Sequence, residues 1–251
     1  MLTDEMATHE SYPMSMDEIL AFLLNGDIET EGLLPWSSNY AFLVTITQDD
    51  TQSLAVYKPR SGERPLWDFP DGTLCLREVA TFVASQGLGW LCVPPTVLRE
   101  GPHGIGSVQL FIDTNPEEHY FTLQDAHDEQ FKYMSALDYI ANNADRKGGH
   151  CLLGTDGHIW GVDHGLTFHA TPKLRTVIWK YAGQPIPESM LEDILEFHSE
   201  LVPGTSINDA LEHLLASDEL NALRQRTETL LCNQIFPDPD PSRRHIPWPP
   251  V

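Results

Sequence analysis

A chain of 251 residues, 41% apolar and 21% charged, is long enough for one substantial core or two small lobes, and for an enzyme. Its 37 acidic residues outnumber 15 basic ones, and a formal charge of −22 argues against nucleic acid or an anionic membrane as partner. Cys75, Cys92, Cys151 and Cys232 are widely spaced and read as reduced core thiols, no basic and apolar leader opens the chain, and no apolar run reaches the ~18 residues of a bilayer span, so a cytoplasmic protein without integral membrane association is expected.

In chain order, residues 1–15 are polar and are expected to form a mobile tail. Residues 16–112 read as a sheet-rich lobe. Alternating runs at 40–46 (YAFLVTI), 53–58 (SLAVYK), 95–98 (PTVL) and 107–112 (SVQLFI) predict a small antiparallel sheet. One helical segment, 73–89, starts after Asp71 and stops at a glycine. Residues 113–236 read as a mainly helical lobe, with helical spacing in 129–143, 188–202 and 207–235. The Pro-rich residues 237–251 cannot continue a helix and are expected to be an extended tail. The class is α+β with two lobes, and the boundary between them is the natural place for a ligand cleft.

The densest chemistry lies in NNADRKGGHCLLGTDGHIWGVDHG, residues 142–165. Phe131, Met134, Leu137, Ile140 and Ala141 mark a buried helix that the two asparagines terminate, so Asp145 and Arg146 fall in the loop beyond it. Asp138 is expected to tie this helix to the loop. CLL and IWGV flank an Asp-Gly pair, a strong signal for a two-residue hairpin turn. With Asp156 and Gly157 as that turn, His150 faces Asp163 across the strands, close enough for both to touch one metal ion. His158, His164 and His169 lack the tight ligand spacing of a zinc cluster.

LDYIANNADR resembles the helix and catalytic loop of type II phosphatidylinositol 4-kinases, within the phosphatidylinositol 3/4-kinase family. VDHG resembles that family's Asp-x-Gly, and the Asp-Arg loop is similar to that of HipA-type bacterial kinases. The resemblance is specific over residues 137–168 and looser over the first lobe; short bacterial relatives of lipid kinases are the most similar across the whole chain. It implies a two-lobed protein-kinase-like fold and an ATP-dependent phosphotransferase. Asp145, with Arg146, would be catalytic, and Asp163 would hold magnesium or manganese against the ATP phosphates. These kinases commonly carry asparagine where this chain has His150, an imidazole that favours manganese. The alternatives that remain are a pseudokinase that binds nucleotide or acts as a scaffold without transfer, and a kinase-like AMP-transferase.

In the first lobe, Leu54, Val56 and Lys58 share one strand face, which sets an ammonium at the end of an apolar stripe. The resemblance would make Lys58 the lysine that grips the phosphates. Its expected partner is Glu78, a carboxylate on a helix face made apolar by Cys75 and Phe82. There is no glycine-rich phosphate fingerprint, so Ser37, Ser38 and Asn39 are the candidate phosphate donors. Adenine would lie near Phe111, Ile112 and Asp113. From His164 to Pro187 no acid occurs, while Lys173, Arg175 and Lys180 do, which points to an anionic protein or small-molecule substrate. Membrane phosphoinositides fit poorly, because no polybasic or basic amphipathic anchor is present.

Overall fold

The computed structural model describes residues 14–34 and 39–251, which leaves outside the description most of the tail expected over residues 1–15. The first element is a helix, α1 (Met16–Asn25), started by a capping box. The Ser15 hydroxyl accepts the Glu18 N–H, and the Glu18 carboxylate accepts the Ser15 N–H in return. The strands β1 (Asp27–Leu33), β2 (Phe42–Gln48) and β3 (Thr51–Pro59) follow, then helix α2 (Leu74–Gly87) and strands β4 (Thr96–Gly101) and β5 (Gly104–Leu110). The sheet is antiparallel throughout, in the order β1-β2-β3-β5-β4. The N-lobe therefore carries two helices where the sequence suggests one. α1 covers one sheet face, burying Phe22 and Leu23 against Val44, Ile46, Ala55, Tyr57 and Val108.

That packing corrects the reading of β3. Leu54, Val56 and Lys58 do share a face, but the core face is the other one, Ala55 and Tyr57, and Leu54 is exposed. Lys58 consequently points into the space between the lobes, where a cation meets acids instead of a hydrocarbon core.

The second lobe contains α3 (Tyr120–Leu123), α4 (Asp128–Ile140), the hairpin β6 (Cys151–Leu153) and β7 (Ile159–Gly161), α5 (Glu188–Ser199), α6 (Ser206–Glu212) and α7 (Ser217–Asn233). The continuous helical spacing over 207–235 is broken before Ser217, because the Ala216 N–H is satisfied by the Glu219 carboxylate and starts a new helix. α2 belongs to both lobes. Its Ala80, Phe82 and Ala84, with Leu88 just past its end, pack into the large core with Phe131, Leu137, Ile194 and Phe197. Its fully buried Arg77 pairs with Glu219 of α7 at 2.5 Å and donates to the Thr167 carbonyl at 2.6 Å.

Residues 234–251 are non-helical, as their prolines require, but they do not project into solvent. Phe236 is buried beside Tyr181, the Thr176 N–H and the Trp179 indole N–H both donate to the His245 carbonyl, and the Gly148 N–H donates to the Pro250 carbonyl at 2.7 Å. The segment is a strap over the C-lobe. Of the four cysteines, Cys75, Cys92 and Cys151 are buried; Cys232, expected in the core, is exposed on α7. No described helix is long and apolar enough to cross a membrane.

Candidate active site

The hairpin register differs from the two-residue turn that Asp-Gly suggests. Cys151 faces Gly161 and Leu153 faces Ile159, and Gly157 adopts φ +80° at the end of a longer loop. The one-residue slip sets His150 opposite Val162, whose N–H donates to the His150 carbonyl at 3.0 Å. Asp163 still reaches His150, with Oδ2 3.4 Å from Nε2, because Asp163 is left-handed at φ +60° and its side chain turns back. The proximity thus depends on one unusual backbone angle and not on cross-strand pairing.

Three segments meet at Lys58. Its ammonium is hydrogen-bonded to Glu78 Oε1 and lies 3.0 Å from Asp163 Oδ1, while Glu78 Oε2 accepts the His164 N–H at 2.9 Å. β3, α2 and the Asp163-His164-Gly165 turn are thereby joined. Glu78 is only 3% exposed, and a buried carboxylate needs such partners. Burial acts against the Lys58 charge, but the Asp163 and Glu78 carboxylates outweigh it and raise the lysine above its ordinary value. The Lys58 ammonium holds Asp163 well below the usual carboxylate range, although that side chain is open to the cleft. Asn39, Glu63, Asp145 and Gly165 complete the cleft wall.

Asp145 sits in a loop braced from behind. Its N–H donates to Asn143 Oδ1 at 3.0 Å, and its carboxylate pairs with Lys147 at 2.9 Å. Burial raises its carboxyl above the ordinary value, with Lys147 opposing. Arg146 does not join it in the cleft. That side chain is fully buried on the far side of the loop, paired with Asp138 at 2.9 Å and donating to the carbonyls of His150 and Val162. Asp138 also accepts from Asn143 and Thr176, so it ties α4 to the loop. Arg146 therefore corrects the expectation of a catalytic arginine: it positions the loop and cannot touch a substrate. Gly161 permits this packing, since a Cβ there would meet Met134 Sδ at 2.7 Å and Arg146 Nη2 at 3.2 Å.

The other expected residues are more dispersed. Ser37 and Ser38 lie outside the described residues. Asn39 lines the cleft, with its amide oxygen accepting the Arg64 N–H. Phe111, Ile112 and Asp113 follow β5 into the second lobe; the Phe111 N–H donates to the Leu54 carbonyl, and Asp113 lines a separate hollow with Leu153 and Thr155. Lys173 pairs with Asp68, and Lys180 with Asp125 and Asp128, so within the basic stretch only Arg175 is left beside Asp145. Sequence reasoning missed Lys147 and the work of Asn142, whose amide donates to the carbonyls of His169 and Thr171 and accepts the Lys173 N–H. Asn142 at φ +50° is itself a signal that asparagine tolerates this conformation better than most residues.

His150 and Asp163 are the two side chains of the cleft that could hold a divalent cation. Burial depresses the His150 imidazole to about 4, so it is neutral and able to ligate at physiological pH, and its Nδ1 is buried with no hydrogen-bond partner. No group of three His, Cys, Asp or Glu converges among the described residues. Two protein donors would leave the remaining positions to phosphate oxygens and water.

Residues 99–230 match the family model described as phosphatidylinositol 3- and 4-kinase. The chain belongs to this family. Protein Rv2133c of Mycobacterium tuberculosis (strain ATCC 25618 / H37Rv) is 38% identical over 268 residues, covering 93% of this chain and 95% of that one. Among solved structures, a golgi casein kinase superposes with a TM-score of 0.55 at 18% identity, over 88% of this chain and 75% of that one. Hydra Fam20 with sugar gives 0.52 at 12% identity over 86% of both chains, and the Helicobacter pylori proinflammatory kinase CtkA gives 0.50 at 11% identity over 85% and 94%. At such identities these structures establish the two-lobed kinase-like fold. Within the phosphatidylinositol 3- and 4-kinase family, the matched region runs from β4 to α7 and includes Asp145, His150 and Asp163.

Proposed function

We propose that this member of the family is an ATP-dependent phosphotransferase acting on a hydroxyl of a protein or small soluble molecule. The observation that carries the reading is the Lys58 ammonium fixed between Glu78 and Asp163. A cation so placed, and anchored from α2, meets phosphates without further rearrangement. His150 and Asp163 would hold magnesium or manganese, which supplies charge neutralisation at the phosphates. Asp145 accepts the acceptor's hydroxyl proton as that oxygen bonds to the γ-phosphorus; the bond from the γ-phosphorus to the β,γ-bridging oxygen breaks, and ADP leaves with its electron pair. The raised carboxyl of Asp145 makes it a better base than an ordinary aspartate. Arg175 beside Asp145 favours an anionic acceptor.

The test is incubation of the full chain with ATP labelled separately on the γ- and α-phosphates, with manganese or magnesium. Transfer of the γ label to the chain or an added acceptor is expected, and its loss in Asp145→Asn. Transfer of the α label would instead identify an AMP-transferase. Nucleotide binding with neither label transferred, across a broad acceptor screen, would identify a pseudokinase.

A further inference from the structure

A second pocket, of about 330 Å³, opens between residues 89–92, which join α2 to β4, the hairpin, and helices α4 and α5. It shares no lining residue with the Lys58 cleft, and its volume is at the small end of the range for small-molecule sites. Trp90, Leu91, Tyr133 and Ile159 make most of its wall apolar. That wall is fixed by hydrogen bonds. On one side the Ser85 hydroxyl of α2 donates to the Trp90 carbonyl and accepts the Cys92 N–H at 3.2 Å, and the Gly161 N–H donates to the Cys92 carbonyl at 2.7 Å. On the other, the Gln130 amide accepts the Ile159 N–H at 2.8 Å and donates to the Gly157 carbonyl at 3.2 Å, while His158 Nε2 is hydrogen-bonded to the Leu91 carbonyl. A ligand therefore meets a cavity that is already formed.

These bonds engage the amide and the imidazole of the pocket and leave one carboxylate, that of Asp193 on α5. Its Oδ2 accepts the Trp90 indole N–H at 2.8 Å, which orients the group, and among the described residues no basic side chain pairs with it. The Trp90 and Tyr133 rings stand beside it with centroids 5.2 Å apart and planes at 76°. Two aromatic planes nearly at right angles, next to an unneutralised carboxylate, suit an organic cation: the ring faces are electron-rich, the carboxylate supplies the counter-charge, and the apolar wall takes alkyl groups. The other ligand classes fit worse. An anion would meet Asp193 in a chain whose formal charge is −22, and a neutral apolar ligand would cover the carboxylate without compensating it.

We propose that this pocket binds a small organic cation, an amine or quaternary ammonium whose charged head lies between the Trp90 and Tyr133 rings against Asp193. The site is separate from the nucleotide cleft and does not depend on the phosphotransferase reading.

The probes are choline and benzyltrimethylammonium, titrated calorimetrically into the full chain, beside 3,3-dimethylbutan-1-ol, which has the shape of choline without its charge. At least one ammonium should bind in the millimolar range or tighter, and the neutral alcohol about tenfold more weakly than choline or not at all. Asp193→Asn keeps an acceptor for the Trp90 indole and should weaken ammonium binding about tenfold or more. Tyr133→Leu should weaken it as well, and saturating ATP with manganese should not displace the probe. No binding by either ammonium, equal affinity for the neutral alcohol, unchanged affinity in Asp193→Asn, or displacement by ATP would each overturn the proposal. The comparison of charged and neutral probes is made on the unaltered protein, so it decides the matter even if a variant fails to fold.

Discussion

Arg146 and Asp138 offer a sharp test of how the loop that carries Asp145 is built. Arg146 is wholly buried, and its guanidinium is shared among Asp138, two backbone carbonyls and His164, whose imidazole burial and the Arg146 charge keep neutral. Replacing it with methionine strands the Asp138 carboxylate with only Asn143 and Thr176 as partners. Removing one member of such a buried pair costs about 3–5 kcal/mol. For a chain of this length that corresponds to a fall in Tm of about 6–20 °C. Asp138→Leu should cost a similar amount, and the double variant should cost clearly less than the sum, because neither charge is then left alone. Thermal and urea unfolding of the four proteins gives the cycle. ATP-analogue affinity of Arg146→Met, measured below its Tm, should remain near the parent's, since no Arg146 atom faces the cleft. A variant of unchanged stability that had lost transfer would refute this reasoning and return Arg146 to the substrate.

Asp145→Asn should abolish transfer and raise Tm at neutral pH. Its folded-state carboxyl is raised, so the stability it contributes is present below the unfolded value and lost as pH rises through the folded one; the variant's advantage should shrink as pH falls toward about 4. Arg77→Ala should destabilise by about 3–5 kcal/mol through the stranded Glu219 and also weaken nucleotide binding, because it loosens α2 and with it Glu78; intact binding would show that α2 is held by its apolar face alone. His150→Asn should raise activity with magnesium relative to manganese. Because burial keeps His150 neutral down to about 4, that variant should leave the pH profile between about 5.5 and 8 unchanged, unlike an ordinary imidazole titrating near about 6.5; a shifted acid limb there would mean that His150 is solvated.

Much of the site is legible in the sequence where chemistry overrides local propensity. Glu78 stands out as an acid on an apolar helix face, and its need for a cation points to Lys58 although 20 residues separate them. What escaped is what depends on tertiary packing. β1 is exposed along nearly its whole length, so no alternation marks it. The parity of β3 was readable, but which face became the core was decided by α1. The Asp-Gly signal located the hairpin but not its loop length, and the residual slip was undone only by the left-handed Asp163. Arg146 looked catalytic because sequence spacing does not reveal on which side of a loop a side chain is buried. The strap's contacts run through backbone carbonyls such as those of His245 and Pro250, which no side-chain pattern records.

The claim on which the rest depends is that Lys58, Glu78 and Asp163 form a nucleotide cleft. Calorimetric titration of ATP with manganese into the full chain tests it most directly. One site per chain is expected, weakened by Asp163→Asn and by Lys58→Met and retained in Asp145→Asn. Absence of heat together with an unchanged Tm at saturating ATP and either metal would contradict it.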